Sequence, residues 1–203
     1  MALDAQALAR IEDRFSKAQT GTRAPLEGVI VAASGHYESS ALAWTLAAAL
    51  LAPLPMLLFT HWPAWRVFTV QLSIALALAA LSLAPRLSAA LTGLRAKRLN
   101  VHRAAMAQFV ARGLDRSPRG EGVLIYVSLA ERLARVQAGE GALKAVPTQQ
   151  WQELIDALAR RVGAGDLEGA LNDAADRAGA LLGAALPADP AAPPRPRRHF
   201  HAI

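Results

Sequence analysis

The longest nearly uncharged segment of the chain runs from residue 39 to residue 85, where Arg66 is the single charged side chain. Two apolar runs fill most of it, residues 41–59 and residues 67–84. Each run is close to the roughly 20 residues that a helix needs to cross about 30 Å of hydrocarbon. Trp62 and Trp65 lie between the runs and suit the headgroup layer of a bilayer. The pattern therefore predicts a transmembrane helical hairpin.

A buried helical hairpin in a water-soluble core is the alternative interpretation of this segment. Core helices of soluble proteins usually keep a polar stripe toward water, and neither run shows one. Hydroxyl side chains such as those of Thr69 and Ser73 can bond back to the helix backbone, so they cost little in lipid. Pro53 and Pro55 each remove a backbone donor and predict a kink within the first run.

The sequence before and after this segment predicts a small α/β domain. Residues 2–17 repeat apolar side chains every three or four positions, which predicts an amphipathic helix. Residues 28–33 form a short β-branched run that is typical of a buried strand. After the second apolar run the chain is expected to stay helical as far as Gly113, a suitable C-cap.

A second strand is predicted at residues 122–128, followed by an alternating, half-exposed partner strand at residues 134–138. Thr148 and Asp166 can each cap a following amphipathic helix. From residue 187 the chain is rich in proline and arginine and has little to bury, which predicts disorder. The predicted organisation is 1–38 and 86–186 for the α/β domain, 39–85 for the inserted hairpin and 187–203 for the tail.

The distribution of charge favours a membrane over nucleic acid. The chain carries a net charge of +6 and no cysteine, so disulfides and thiolate chemistry are excluded. Basic residues follow the second apolar run, namely Arg86, Arg95, Lys97, Arg98 and Arg103. Such a cluster meets anionic lipid headgroups and places both chain ends in the cytoplasm, as in a multi-pass protein of the inner (plasma) membrane. No nucleic-acid-binding motif is present, so we expect no nucleic acid partner.

Five short matches in the same order resemble the short, membrane-anchored bacterial members of the TPM domain family. They are an Ala-Ala-x-x-x-Phe helix (104–109), a Gly-Val-Leu-Ile strand (122–125), a Ser-Leu-x-Glu-Arg turn (128–132), Val146 and Trp151. The resemblance covers most of residues 1–187. It implies an α/β sandwich in which a central sheet of three to four strands is flanked by helices on both faces.

The same resemblance implies several activities and partners. Members are reported as acid phosphatases, as calcium-binding proteins and as auxiliary or assembly factors of membrane complexes. Short bacterial members are encoded beside a LemA-like membrane protein and a longer TPM protein, which suggests either as a partner. This chain departs from the family where an Ala-Asp-x-Gly run is usual, because Gly139 stands at the Asp position and Glu140 follows it.

Two sets of residues are candidates for chemistry. Glu121, Glu131 and Glu140 lie near predicted strand ends and would form a calcium site only if their oxygens converge. Cations for phosphoryl transfer would come from Arg116, Arg119 and Arg132, but no phosphate-cradling loop accompanies them. Solvated turn residues are the simpler interpretation of both sets.

The residues Ser34, His36 and Tyr37 suggest a nucleophile and a base, but neither a nucleophile elbow nor an orienting acid accompanies them. We therefore predict no catalytic, cofactor or metal residue. The leading hypothesis is an integral membrane protein whose TPM-like domain serves as an interaction or assembly module for another membrane protein. An acid phosphatase-like hydrolase, with or without a divalent metal, is the alternative.

Overall fold

The computed structural model describes residues 4–35, 47, 50–59, 61–82, 94–189 and 198–203. The chain forms two compact units. One unit combines residues 1–34 with residues 98–203, and the other is the segment 35–97 inserted between them. The segment predicted as a hairpin, residues 39–85, lies within the inserted unit.

A four-stranded sheet forms the centre of the first unit. Its strands are β1 (Leu26–Val31), β2 (Val123–Ser128), β3 (Leu133–Ala138) and β4 (Phe200–Ala202). Their order in the sheet is β3-β2-β1-β4. β1 and β2 are parallel over six residue pairs, although the whole inserted unit separates them along the chain. β2 and β3 form an antiparallel hairpin, and β4 runs parallel to β1.

Every side chain of β1 and β2 is buried, because helices cover both faces of the sheet. This is the burial that a near-continuous apolar strand predicts. α1 (Ala5–Thr20), α6 (Thr148–Ala164) and α7 (Leu167–Ala185) cover one face, and α4 (Leu94–Ala111) covers the other. The first core includes Ile11, Phe15, Leu26, Ile30, Ile125, Trp151, Leu158 and Leu171. The second includes Val29, Val31, Leu124, Tyr126, Val101, Ala105 and Phe109.

Local signals in the sequence explain where these helices begin and end. Asp4 caps α1 by accepting a hydrogen bond from the Ala7 N–H at 2.6 Å, and Gly21 is the C-cap. Asp166 caps α7 in the same way, accepting from the Gly169 N–H at 3.0 Å. Gly165 ends α6 at a φ of 87°, a conformation that glycine adopts without strain.

The inserted unit contains α2 (Pro53–Phe59) and α3 (Ala64–Ser82). Within the described part of the chain, no helix is both long enough and apolar enough to span a bilayer, so the predicted transmembrane hairpin is not found there. Residues 36–46, 48, 49, 60 and 83–93 lie outside the described residues. Pro53 and Pro55 occupy the first turn of α2, where a missing backbone donor costs little.

The structure differs from the sequence-based expectation in three other places. β1 begins at Leu26 rather than at residue 28, because Leu26 and Glu27 pair with the first residues of β2. A short helix not predicted from the sequence, α5 (Glu140–Ala145), follows β3 directly. The tail 187–203 was expected to be disordered throughout, but its end forms β4, since Phe200 finds a buried place beside β1. Residues 190–197 lie outside the described residues.

Candidate functional site

Four polar side chains meet where β1 and β2 end. Ligands of open α/β sheets usually bind at the carboxyl ends of parallel strands, so this is the first place to look for a site. Ser34 follows β1, Tyr126 and Ser128 belong to β2, and Glu131 lies in the β2–β3 turn. We call these four residues the strand-end cluster.

Glu131 is the centre of the strand-end cluster. Its carboxylate accepts a hydrogen bond from the Ser34 backbone N–H at 2.9 Å and another from the Ser128 hydroxyl. The Ser34 hydroxyl and the Tyr126 hydroxyl are hydrogen-bonded to each other at 2.9 Å. Glu131, Tyr126 and Ser128 are all buried. Both carboxylate oxygens therefore hold neighbouring parts of the protein, namely the chain leaving β1 and the end of β2.

The electrostatics of the strand-end cluster suit a structural clamp, meaning a set of hydrogen bonds that holds the chain in place. Burial raises the pKa of the Tyr126 phenol above its ordinary value, and the Glu131 carboxylate raises it further, although the hydrogen bond to Ser34 partly offsets both effects. The phenol is consequently neutral at physiological pH and is no base or nucleophile there. The cluster fixes the point at which the chain leaves the sheet for the inserted unit.

The three glutamates considered for a calcium site do not converge. Glu121 is buried and precedes β2 in the chain. Its carboxylate accepts hydrogen bonds from two nitrogens of Arg23, the shorter at 2.9 Å. Glu131 follows the other end of β2, a six-residue strand about 20 Å long. Glu121 and Glu131 therefore lie at opposite ends of β2. Glu140 lies on the exposed first turn of α5 and pairs with Lys144 at 2.7 Å. Among the described residues, no group of three His, Asp or Glu side chains is placed to hold a metal ion.

The arginines considered for phosphoryl transfer are separated in the same way. Arg116 and Arg119 lie in short 3₁₀ turns before β2, whereas Arg132 lies in the turn after it. Arg119 and Arg132 have positive φ angles of 63° and 52°, so both serve as turn residues with left-handed backbone. Of the residues considered for nucleophilic chemistry, Ser34 belongs to the strand-end cluster, while His36 and Tyr37 lie outside the described residues.

Sequence reasoning found Glu131 and Ser34 but assigned them to different sites. The missed signal is the Ser-x-x-Glu spacing from Ser128 to Glu131 at the end of a fully buried strand. A buried carboxylate needs hydrogen-bond donors, and the nearest donors are the hydroxyl three residues earlier and the backbone leaving the neighbouring strand.

A second candidate surface is a groove of about 600 Å³ between α5, α6 and α7. Its lining is mainly apolar and includes Val146, Leu154, Leu181 and Ala184, with Glu153 and Arg177 as its charged residues. This volume is within the range of small-ligand and peptide-anchor sites. All the lining residues belong to the sheet-containing unit.

We expect Glu131→Ala to destabilise the protein by about 1–3 kcal/mol for each buried group left unpaired, since the Ser34 N–H and the Ser128 hydroxyl both lose their acceptor. Chemical denaturation followed by circular dichroism measures this change. Glu140→Ala is the matched control, because its exposed pair with Lys144 contributes at most about 1 kcal/mol. Equal effects of the two substitutions would contradict the clamp.

Comparisons with known proteins found one matching family model and one similar solved structure. The family model of the TPM domain matches residues 91–181. The NMR structure of the BA42 protein from the psychrophilic bacterium Bizionia argentinensis is similar, with a TM-score of 0.60 and 14% sequence identity over 100% of this chain and 97% of that chain. At this identity the likeness shows the fold alone. No curated protein matches the chain. The expected resemblance to the TPM domain family is thus confirmed for residues 91–181, which are slightly less than half of the chain.

Proposed function

We propose that this TPM-domain protein is attached to the bacterial inner membrane by its inserted unit and that its domain serves as an interaction module for another membrane protein. The observation that supports attachment is a set of large apolar side chains on the surface of the inserted unit. On α3 they are Trp65, Phe68, Leu72 and Leu76. A spacing of three or four residues puts them on one side of the helix.

The apolar side chains on this side of α3 are largely exposed, which supports a contact with a membrane. Phe68 and Leu76 are each 63% exposed, and Leu58 and Phe59 of α2 are exposed still further, at 76% and 83%. Contiguous apolar patches of this kind mark contacts with a membrane or with another protein. We call the four α3 residues Trp65, Phe68, Leu72 and Leu76 the apolar stripe.

The polar side chains of α3 also suit an apolar environment. The Thr69 hydroxyl donates to the Trp65 carbonyl oxygen at 2.7 Å, and the Ser73 hydroxyl donates to the Thr69 carbonyl oxygen at 2.8 Å. Both hydroxyls are thus satisfied within the helix, which removes the cost of taking them out of water. The Arg66 guanidinium lies 5.3 Å from the centre of the Trp65 ring, a pair that suits the headgroup layer.

The charge of α4 adds an attraction to anionic lipid. Its sequence contains Arg95, Lys97, Arg98 and Arg103 and no acidic residue. Each basic side chain close to a negatively charged bilayer contributes about 1 kcal/mol. Apolar insertion and electrostatic attraction would together hold the protein at the membrane more strongly than either alone.

We predict that Phe68→Lys, Leu72→Lys and Leu76→Lys, made together, release the protein from membranes, because three charges enter the apolar stripe. The measurement is the fraction left in the membrane pellet after an alkaline carbonate wash. The matched control carries Met106→Lys, Val110→Lys and Leu143→Lys, which alter exposed apolar side chains elsewhere, and it should remain in the pellet. Recovery of the unaltered protein as a detergent-free soluble monomer would contradict membrane attachment.

The interaction role is assigned to the groove between α5, α6 and α7. Its apolar lining accepts an apolar side chain of a partner, and Glu153 and Arg177 offer charged contacts. A LemA-like membrane protein or a longer TPM protein is the partner that the family resemblance suggests. The single observation for this assignment is that the groove offers apolar surface with opposite charges beside it.

We predict that Ala184→Arg abolishes co-purification of a membrane partner from detergent-solubilised membranes, because the new side chain fills the groove. Ala164→Arg is the control, since Ala164 is also exposed but does not line the groove. The partner should be retained by the unaltered protein and by the control at equal yield. Loss of the partner from both variants, or from neither, would refute the groove as the docking surface.

A further inference from the structure

Helix α4 carries apolar side chains on two of its sides. One side is buried against the sheet in the second core described above. On the other side Leu99, Met106 and Val110 are between 39% and 47% exposed. At 3.6 residues per turn these three lie within about 40° of one another around the helix axis, about 120° away from the buried side. α4 therefore presents a second apolar side to its surroundings.

A basic residue lies on the same side of α4 as these apolar residues. Arg103 is exposed and falls within about 40° of Leu99 around the helix. We call Leu99, Arg103, Met106 and Val110 the outer face of α4, and all four belong to the sheet-containing unit. Apolar side chains with a long basic side chain among them are typical of helices that lie in a membrane interface, because the basic side chain can extend its charge to the headgroups.

The sequence around the outer face is free of acidic residues over a long stretch. Between Glu38 and Asp115 the chain contains no aspartate or glutamate, whereas seven arginine and lysine residues occur there. This stretch includes most of the inserted unit and the whole of α4. A segment with basic residues and no acidic ones complements a negatively charged surface.

Arg112 and Arg103 differ in where their counter-charge comes from. Arg112 Nη1 donates to Glu27 Oε2 at 3.2 Å, and both side chains are largely buried, so the protein supplies this counter-charge itself. Arg103 is exposed, and α4 contains no acidic residue with which it could pair one turn away. The charge of Arg103 is therefore available to an anion outside the chain.

We propose that the outer face of α4 lies on the anionic surface of the membrane, with Leu99, Met106 and Val110 entering the acyl boundary and Arg103 meeting headgroup phosphates. The inference rests on the membrane attachment proposed above and adds a second contact to it. Residues 94–97, the start of α4, belong to the inserted unit. The outer face therefore follows, directly in the chain, the segment proposed to enter the bilayer. This continuity favours a bilayer over an acidic protein as the source of the negative charge.

The contact made by the outer face is peripheral to the one made by the inserted unit. An alkaline carbonate wash removes proteins held at a membrane surface by charge but leaves inserted ones in the pellet. The control with Met106→Lys and Val110→Lys described above is therefore still expected in the pellet. A test of the outer face has to report on α4 itself while the inserted unit stays in place.

A single fluorescent label in the full chain reports the surroundings of α4. Because the chain has no cysteine, Met106→Cys provides one thiol on the outer face for an environment-sensitive fluorophore. Ala111→Cys is the matched control, since Ala111 is exposed on the same helix but lies about 140° away from Met106. Phe68→Cys reports on the apolar stripe of α3. Each labelled protein is placed in nanodiscs of phosphatidylcholine with or without phosphatidylglycerol, and quenching by a lipid that carries a nitroxide near its headgroup is measured.

With phosphatidylglycerol present, the label at residue 106 should be quenched at least about twofold more than the label at residue 111, because an interfacial helix buries its apolar side about 5–10 Å into the headgroup and acyl boundary. This difference should shrink in phosphatidylcholine alone, where the attraction to negative lipid is lost. It should also shrink when Arg103→Glu is added to Met106→Cys, because the attraction is then reversed. The label at residue 68 should be quenched in both kinds of nanodisc.

The three labels separate failure of this inference from failure of the membrane attachment. Equal quenching at residues 106 and 111, with strong quenching at residue 68, would overturn the inference and leave the attachment intact. No quenching at residues 68 and 106 would overturn both. A label at residue 106 that is shielded from aqueous iodide but not quenched by lipid would also overturn the inference, since a protein surface would then cover the outer face. Quenching at residue 106 that depends neither on phosphatidylglycerol nor on Arg103 would rule out anionic lipid as the partner. If the Met106→Cys protein does not fold, Val110→Cys takes its place.

Discussion

The parallel pairing of β1 and β2 is the interaction on which the rest of this structure depends. The six pairs from Leu26↔Val123 to Val31↔Ser128 join two parts of the chain that the whole inserted unit separates. Closing so long a loop costs conformational entropy, but the cost grows only slowly with loop length. Burial of both faces of β1 and β2 offsets this loss of conformational entropy. The sheet can therefore remain stable although the insertion is large.

The strand-end cluster lies where chemistry would first be expected, and its hydrogen bonds hold the protein's own chain there. At the carboxyl ends of β1 and β2, an α/β sheet usually presents residues to a ligand. Here Glu131 uses its two oxygens to hold Ser34 and Ser128, so the position serves the exit of the chain toward the inserted unit. The surfaces that we propose for function are therefore the apolar stripe and the groove between α5, α6 and α7.

Local patterns in the sequence were enough to predict most of the sheet-containing unit. The strand at 122–128, its alternating partner and the two helices that follow were predicted because their periodicity is a short-range signal. Asp166 caps α7 as expected, but the predicted cap at Thr148 is wrong, because Pro147 is the N-cap of α6 and Thr148 is its first helical residue. β4 was missed because its pairing with β1 is long-range, while the composition around it is typical of disorder. The strand-end cluster was missed for the same reason, since Ser34 and Glu131 meet only after the sheet forms.

A shortened chain would test most directly whether the sheet-containing unit folds without the apolar insertion. Residues 36–93 would be replaced by a flexible Gly/Ser linker of about 20 residues, long enough to rejoin the two parts of the sheet-containing unit. The account predicts a protein that stays soluble without detergent and keeps the slow amide exchange of Ile125 and Val127. A chain with unprotected β2 amides would contradict it, because the inserted unit would then be part of what holds the sheet together.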